Sequence, residues 1–130
     1  MSAMPQRTDM KTIMVVDDSA SVRQIASLTL TRGGYSVVEA VEGNDGLKKL
    51  AANPVKLIIC DVNMPGMDGL TFARQVKTQP QYKFMPIIML TTESGDDMKA
   101  SGKAAGVKAW IVKPFQPQLM LDAVAKLILP

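Results

Sequence analysis

The chain has 130 residues, 47% of them apolar and 21% charged, with a formal net charge of +3; this is the length of one domain with the make-up of a soluble globular protein. It contains no histidine, which removes Ser-His-Asp and Cys-His nucleophiles, His-ligated zinc and a phosphohistidine carrier, so any chemistry must use carboxylates, hydroxyls, lysine or a bound metal. The single cysteine, Cys60, cannot form an internal disulfide and reads as core filling in a reducing cytoplasm, no apolar run approaches the roughly 18 residues of a membrane span, and the modest charge does not by itself argue for nucleic acid.

Residues 1–10 contain Arg7 and Asp9 without an apolar centre, so they are not a secretory signal and are expected to form a flexible tail ahead of a domain covering 11–130. Thr12-Ile13-Met14-Val15-Val16 is an apolar run that ends on Asp17-Asp18-Ser19. Ser19 can cap a helix running through Arg23, Ile25 and Leu28 and stopping before Gly33-Gly34. Tyr35 to Ala40 alternates, as a strand exposed on one side at a sheet edge does. Asn44 or Asp45 is expected to open a short helix through Leu47, Leu50 and Ala51, broken by Asn53-Pro54.

The run Leu57-Ile58-Ile59-Cys60 ends on Asp61 and is followed by Val62-Asn63-Met64-Pro65-Gly66. Four apolar residues fit a strand buried on both faces, and Pro65-Gly66 stops it, leaving Asp61 at the strand's carboxyl end. Gly66-Met67-Asp68-Gly69 reads as a turn, and Leu70, Phe72, Ala73 and Val76 as a helical stripe that ends at Gln79-Pro80. Pro86 to Leu90 is a fourth strand, leading into Thr91-Thr92-Glu93-Ser94-Gly95. Asp96-Asp97 opens a helix weakened by Gly102 and Gly106, each costing about 1 kcal/mol relative to alanine. Ala109-Trp110-Ile111-Val112 ends on Lys113-Pro114. After Gln116-Pro117 a last helix is expected to bury Leu119, Met120, Val124, Leu127 and Ile128, with Pro117 tolerated in the first turn.

Strands and helices thus alternate five times each. Short connections and right-handed crossovers favour one parallel sheet with helices on both faces, a three-layer α/β sandwich. Of the two common orders for such sheets, 2-1-3-4-5 is preferred for five strands; it sets the Asp17-Asp18 and Asp61 strand ends side by side, at the edge where open α/β sheets bind ligands.

Four runs therefore deliver Asp17-Asp18, Asp61, Thr91 and Lys113 to that edge. Singly, the acids read equally as turn and cap residues, Thr91 as the start of a helix and Lys113 as a solvated lysine; their shared placement is what points to chemistry. Carboxylates about 4 Å apart repel by about 4 kcal/mol per pair at an effective dielectric of 20, so the cluster calls for a cation. Oxygen-only ligands select a hard divalent ion, and Mg²⁺ suits a site with few carboxylates. Asp18 and Asp61 could ligate directly and Asp17 through water, while the chain past Asp61 could offer a carbonyl. Lys113 and Thr91 supply a fixed positive charge and a hydroxyl for a second anion. With a carboxylate nucleophile these groups suffice for phosphoryl transfer, in which Asp61 becomes a labile acyl phosphate.

Asp17-Asp18, the segment Asp61-Val62-Asn63-Met64-Pro65-Gly66-Met67-Asp68-Gly69, Thr91 and Lys113-Pro114-Phe115 together resemble a response-regulator receiver domain, most of all the stand-alone chemotaxis regulators of that family. The resemblance covers residues 11–129. It implies the flavodoxin-like (βα)5 fold, and Asp61 as phosphoacceptor for a histidine kinase. It also implies Mg²⁺ held by Asp17, Asp18, Asp61 and the backbone carbonyl of Asn63, Lys113 and Thr91 on the phosphoryl oxygens, and a cis Lys113-Pro114 peptide. The family's switch couples Thr91 to an aromatic residue three positions before the lysine, here Trp110, where Tyr or Phe is commoner. Asn63 and Glu93 flank the expected phosphoryl site and resemble the fast-reversing members, so a short-lived acyl phosphate is expected.

With the sequence ending at Pro130, output is expected from a surface that binds another protein, not nucleic acid or membrane, and the chain is expected to be a cytoplasmic monomer. Lys99, Lys103, Lys108 and Lys126 near Trp110 suggest an acidic partner, although a solvated face gives the same pattern. Two rivals make different demands. An aspartyl-nucleophile phosphatase would use a second acid two residues after the nucleophile, where this chain has Asn63. A flavodoxin-like nucleotide binder would carry a Gly- or hydroxyl-rich loop after the first strand, where Asp17-Asp18 repels phosphate without a metal. A role as phosphate sink or adaptor outside chemotaxis uses the same site residues.

Overall fold

The computed structural model describes residues 10–92 and 96–130, and the side chains of all of these except 96–99. The expected N-terminal tail falls almost wholly outside the described residues. The strands are β1 (Thr12–Val16), β2 (Ser36–Ala40), β3 (Val55–Asp61), β4 (Ile87–Thr91) and β5 (Val107–Val112), and the helices are α1 (Ala20–Arg32), α2 (Gly43–Ala52), α3 (Gly69–Thr78), α4 (Asp96–Ala104) and α5 (Pro117–Leu127). All strand pairs are parallel, in the order β2-β1-β3-β4-β5. The expected strand order, and β2 as an edge strand, are borne out.

The three central strands are buried on both faces, which is why their sequences are continuous apolar runs and not alternating ones. Met14, Val16, Ile58, Cys60, Ile87 and Met89 point to one face, where they meet Leu50 of α2, Phe72, Ala73 and Val76 of α3, and Ala105 just past α4. Ile13, Val15, Leu57, Ile59, Ile88 and Leu90 point to the other, against Ala26 and Leu30 of α1 and Met120 and Val124 of α5. Each Val, Leu, Ile, Phe or Met among these, withdrawn from water, contributes about 1.5–3 kcal/mol.

Polar caps set where the helices begin. Ser19 accepts a hydrogen bond from the Val22 amide at 3.4 Å, as expected for α1. Asp68 accepts from the Thr71 amide at 2.7 Å and starts α3. α2 starts earlier than the sequence suggested: its cap is Glu42, which accepts from the Asp45 amide, while Asp45 Oδ2 accepts from the Val41 amide at 2.9 Å. Asp45 thus satisfies a donor ahead of the helix from inside its first turn, and that hydrogen bond holds its carboxyl below the ordinary value. α5 also corrects an expectation. Met120 and Val124 are its buried residues, and Leu119, one position off that face, is 53% exposed.

Candidate functional site

The strand register builds the site. Val16 pairs with Cys60, so the next residue of each strand, Asp17 and Asp61, leaves the sheet beside the other. Asp61 pairs with Leu90, and Thr91 with Val112, which brings Thr91 and the following Lys113 to the same rim. The Lys113 amide donates to the Thr91 carbonyl at 2.8 Å, and the Val62 amide to the Leu90 carbonyl at 3.0 Å, so the ladder extends past the strand ends and fixes these residues relative to one another.

Asp17, Asp18 and Asp61 each offer a carboxylate oxygen, all within 4.8 Å of one another. Asp17 and Asp61 are buried and Asp18 is exposed. Lys113 bridges the two buried acids: its Nζ lies 3.2 Å from Asp17 Oδ2 and 3.1 Å from Asp61 Oδ1. Asp17 Oδ1 accepts the Ser19 amide at 2.9 Å, whereas Asp17 Oδ2, although ion-paired, has no aligned hydrogen-bond donor among the described residues. Asp61 Oδ1 accepts the Asn63 amide at 3.2 Å, so both of these contacts to Asp61 fall on one of its oxygens.

These surroundings shift both charged partners. Burial raises the Asp61 carboxyl above its ordinary value; the Asp17 charge adds to this, and the Lys113 ammonium and the Asn63 amide oppose it. Burial acts against the Lys113 ammonium, but the carboxylates of Asp61 and Asp17 outweigh it and hold that group above the usual lysine value. A second cation fits the residues present. One ammonium serves three clustered acids, a buried carboxylate oxygen is left without an aligned donor, and the donors are hard oxygens, the type that suits a magnesium-like ion.

All the residues expected at the rim are brought together. Thr91 is fully buried at the end of β4, and Asn63 is exposed just beyond Asp61. The Lys113-Pro114 peptide is cis. Glu93 lies outside the described residues, as does the side chain of Lys99. Of the expected partner surface, Lys103 and Lys108 are exposed. Lys108 and Trp110 line a groove of about 440 Å³ between β5 and α5, together with Leu119, Asp122 and Lys126.

Two glycines shape the site in ways the sequence reading missed. A Cβ on Gly69 would come within 2.8 Å of Val62 Cα and closer still to the Asp61 carbonyl oxygen. Only a residue without a side chain lets α3 start directly on the end of β3; its position three residues past the Pro65-Gly66 stop was the signal available. A Cβ on Gly102 would lie 3.0 Å from Trp110 Cε2 and nearer to Cζ2. The indole therefore sits in a notch of α4 that the missing side chain creates, and the glycine inside a helical segment was the mark of such a packing need. Arg23 was also passed over: its Nη1 donates to the Asp17 carbonyl at 2.7 Å and its Nε pairs with Glu39 at 3.2 Å, tying α1 and β2 to the acidic loop. Beside Lys113, a largely apolar recess of about 290 Å³ is lined by Val22, Ile25, Thr92, Pro114 and Phe115.

Comparison with known proteins gives a consistent result. The response regulator receiver domain matches residues 13–125. The chemotaxis protein CheY1 of Helicobacter pylori is 44% identical over 112 residues, covering 85% of this chain and 90% of that protein. Protein PilG of Pseudomonas aeruginosa is 34% identical over 121 residues, covering 93% and 90%. The crystal structure of the chemotaxis protein CheY4 of Vibrio cholerae superposes with a TM-score of 0.88 at 45% identity, covering 91% of this chain and 98% of that one.

Proposed function

The chain belongs to the response regulator receiver domain family, and from that premise we propose that it is a chemotaxis-type regulator in which Asp61 takes a phosphoryl group from a histidine kinase. The observation that carries this reading is Lys113 Nζ, held between the two buried acids at 3.2 and 3.1 Å with Asp18 alongside. Residues 11–130 act as the receiver unit and 1–10 as its tail, in the cytoplasm and as a monomer.

In the proposed reaction the Asn63 amide and Lys113 hold Asp61 Oδ1, and the other carboxylate oxygen attacks phosphorus. The new O–P bond forms as the P–N bond of the kinase phosphohistidine breaks. The electron pair stays on the imidazole nitrogen, which takes a proton from solvent. Mg²⁺ held by Asp17, Asp18, Asp61 and the Asn63 carbonyl would neutralise charge on the phosphoryl oxygens. Lys113 and the Thr91 hydroxyl bind the remaining oxygens, so that positioning and charge, not acid–base chemistry, lower the barrier. The reaction is therefore catalysed by the receiver itself. Water attacking phosphorus returns the carboxylate and inorganic phosphate, and the open approach at Asn63 makes the modified state short-lived.

The apolar recess beside Lys113, with Ile25 54% exposed at its edge, suits docking of the kinase next to the nucleophile. The output surface is the groove of Lys108, Trp110 and Lys126, extended by Lys103, and it takes an acidic partner. Phosphorylation biases this surface only as far as the modified site interacts differently with its two arrangements. The test is intact-mass measurement after incubation with a small-molecule phosphoryl donor, followed by pull-down of the modified protein. A one-phosphoryl increment that needs Mg²⁺ and vanishes in Asp61→Asn is expected. An increment independent of metal, or retained in the variant, contradicts the proposal.

A further inference from the structure

A second feature lies at the opposite end of the sheet, where β4 and β5 begin. There the end of α3, the residues just before β4 and the turn after α4 enclose a groove of about 490 Å³. Arg74, Lys77, Lys83 and Lys108 line it, no acidic residue does, and none of the four is ion-paired among the described residues. Lys77 is held in place: its Nζ donates to the carbonyls of Met85 and Lys83, and its stem lies against Gly106, where a Cβ would come within 2.9 Å of Cε. Burial, and then the neighbouring Lys108 charge, lower the Lys77 pKa, as expected where like charges lack a counterion. Phe84, also lining the groove, is 75% exposed, with Lys83 Nζ 5.0 Å from its ring centre.

We infer that this groove is a docking site for an acidic, apolar-anchored segment of a partner protein, distinct from the phosphoacceptor rim and sharing only Lys108 with the lining of the Trp110 groove. Charge complementarity selects acidic side chains, since four cations converge with no carboxylate to balance them. An exposed aromatic in a groove that also holds an arginine has the composition of an interface centre, which favours a polypeptide with an apolar side chain over a bare anion. Because Arg74, Lys77, Lys83 and Phe84 lie on the end of α3 and just before β4, outside the lining of the Trp110 groove, binding through them is independent of Asp61 modification.

The test is titration of the ¹⁵N-labelled protein with a short synthetic peptide of alternating glutamate and leucine, in parallel with inorganic pyrophosphate and a single-stranded oligonucleotide. Saturable amide shifts from the acidic peptide are expected at Lys83, Phe84, Gly106 and Lys108, equal in wild type and Asp61→Asn. Affinity should fall about tenfold or more in the double variant Arg74→Glu, Lys83→Glu, whose positions are exposed, and also in Phe84→Ala. The inference is overturned by unchanged affinity in both variants, by shifts spread over all surface lysines, by matching shifts from pyrophosphate or the oligonucleotide, or by binding that requires phosphorylation. None of these outcomes bears on whether Asp61 is phosphorylated, so the two readings fail separately.

Discussion

Asp61 carries opposing demands. It must be ionised to attack phosphorus, yet burial and the nearby Asp17 raise its pKa. For an acid whose folded-state value is raised, the protonated form contributes stability that is full below the unfolded-state value and is lost as pH rises through the folded-state value. The metal-free protein should therefore lose stability over that rise, and Asp61→Asn should remove this component and melt above wild type at neutral pH. Melting curves of both proteins in a chelator, from mildly acidic to neutral pH, check this; a variant that melts lower throughout would contradict it. Asp17, Asp18, Asp61, Thr91 and Lys113 were legible in the sequence because each ends an apolar strand or lies within two residues of its end. Gly69 and Arg23 were not, because what they contribute is a fit to residues of other elements.

At the level of elements, α4 against β5 shows two effects of opposite sign meeting at one residue. Replacing Gly102 by alanine should favour the helix by about 1 kcal/mol, but the new methyl would collide with the Trp110 ring, and such overpacking costs about 1–3 kcal/mol. The collision is expected to win, giving a net loss on the order of 1 kcal/mol and a changed emission from Trp110, the only tryptophan in the chain. Chemical denaturation followed by tryptophan fluorescence measures both; a stabilised variant with unaltered emission would mean that the indole does not rest on α4. Helix boundaries were readable wherever a side chain caps the next turn, as at Ser19 and Asp68. They were displaced at α2, where Glu42 caps from two residues before Asn44. The burial of α5 was misjudged at Leu119 because hydrophobicity alone does not say which residue of a neighbouring pair faces the sheet; the Met120–Val124 spacing decides it.

Across the whole molecule, strand order was legible because short crossovers leave few topologies; the parallel strands bring distant segments to one rim, and the order sets β1 beside β3 there. The basic groove at the other end escaped notice because Lys83 and Lys108, from two other segments, join Arg74 and Lys77 of α3 only in the fold. The rim joins ends of β1, β3, β4 and β5, so a cation bound there should stabilise the entire fold by mass action. At magnesium about a hundredfold above Kd the gain is about 2.7 kcal/mol, on the order of 10 °C in Tm for a chain of this length. Calorimetry should find that gain in wild type and much less of it in Asp61→Asn; an equal gain in both would place the ion elsewhere. The central claim is that convergence of the strand ends makes Asp61 the phosphoacceptor. The most direct test is borohydride reduction of the phosphorylated protein followed by peptide sequencing, which converts an aspartyl phosphate to homoserine. Homoserine at position 61 alone is the predicted result, and homoserine at 17 or 18, or a borohydride-resistant phosphoryl group on a hydroxyl side chain, would contradict it.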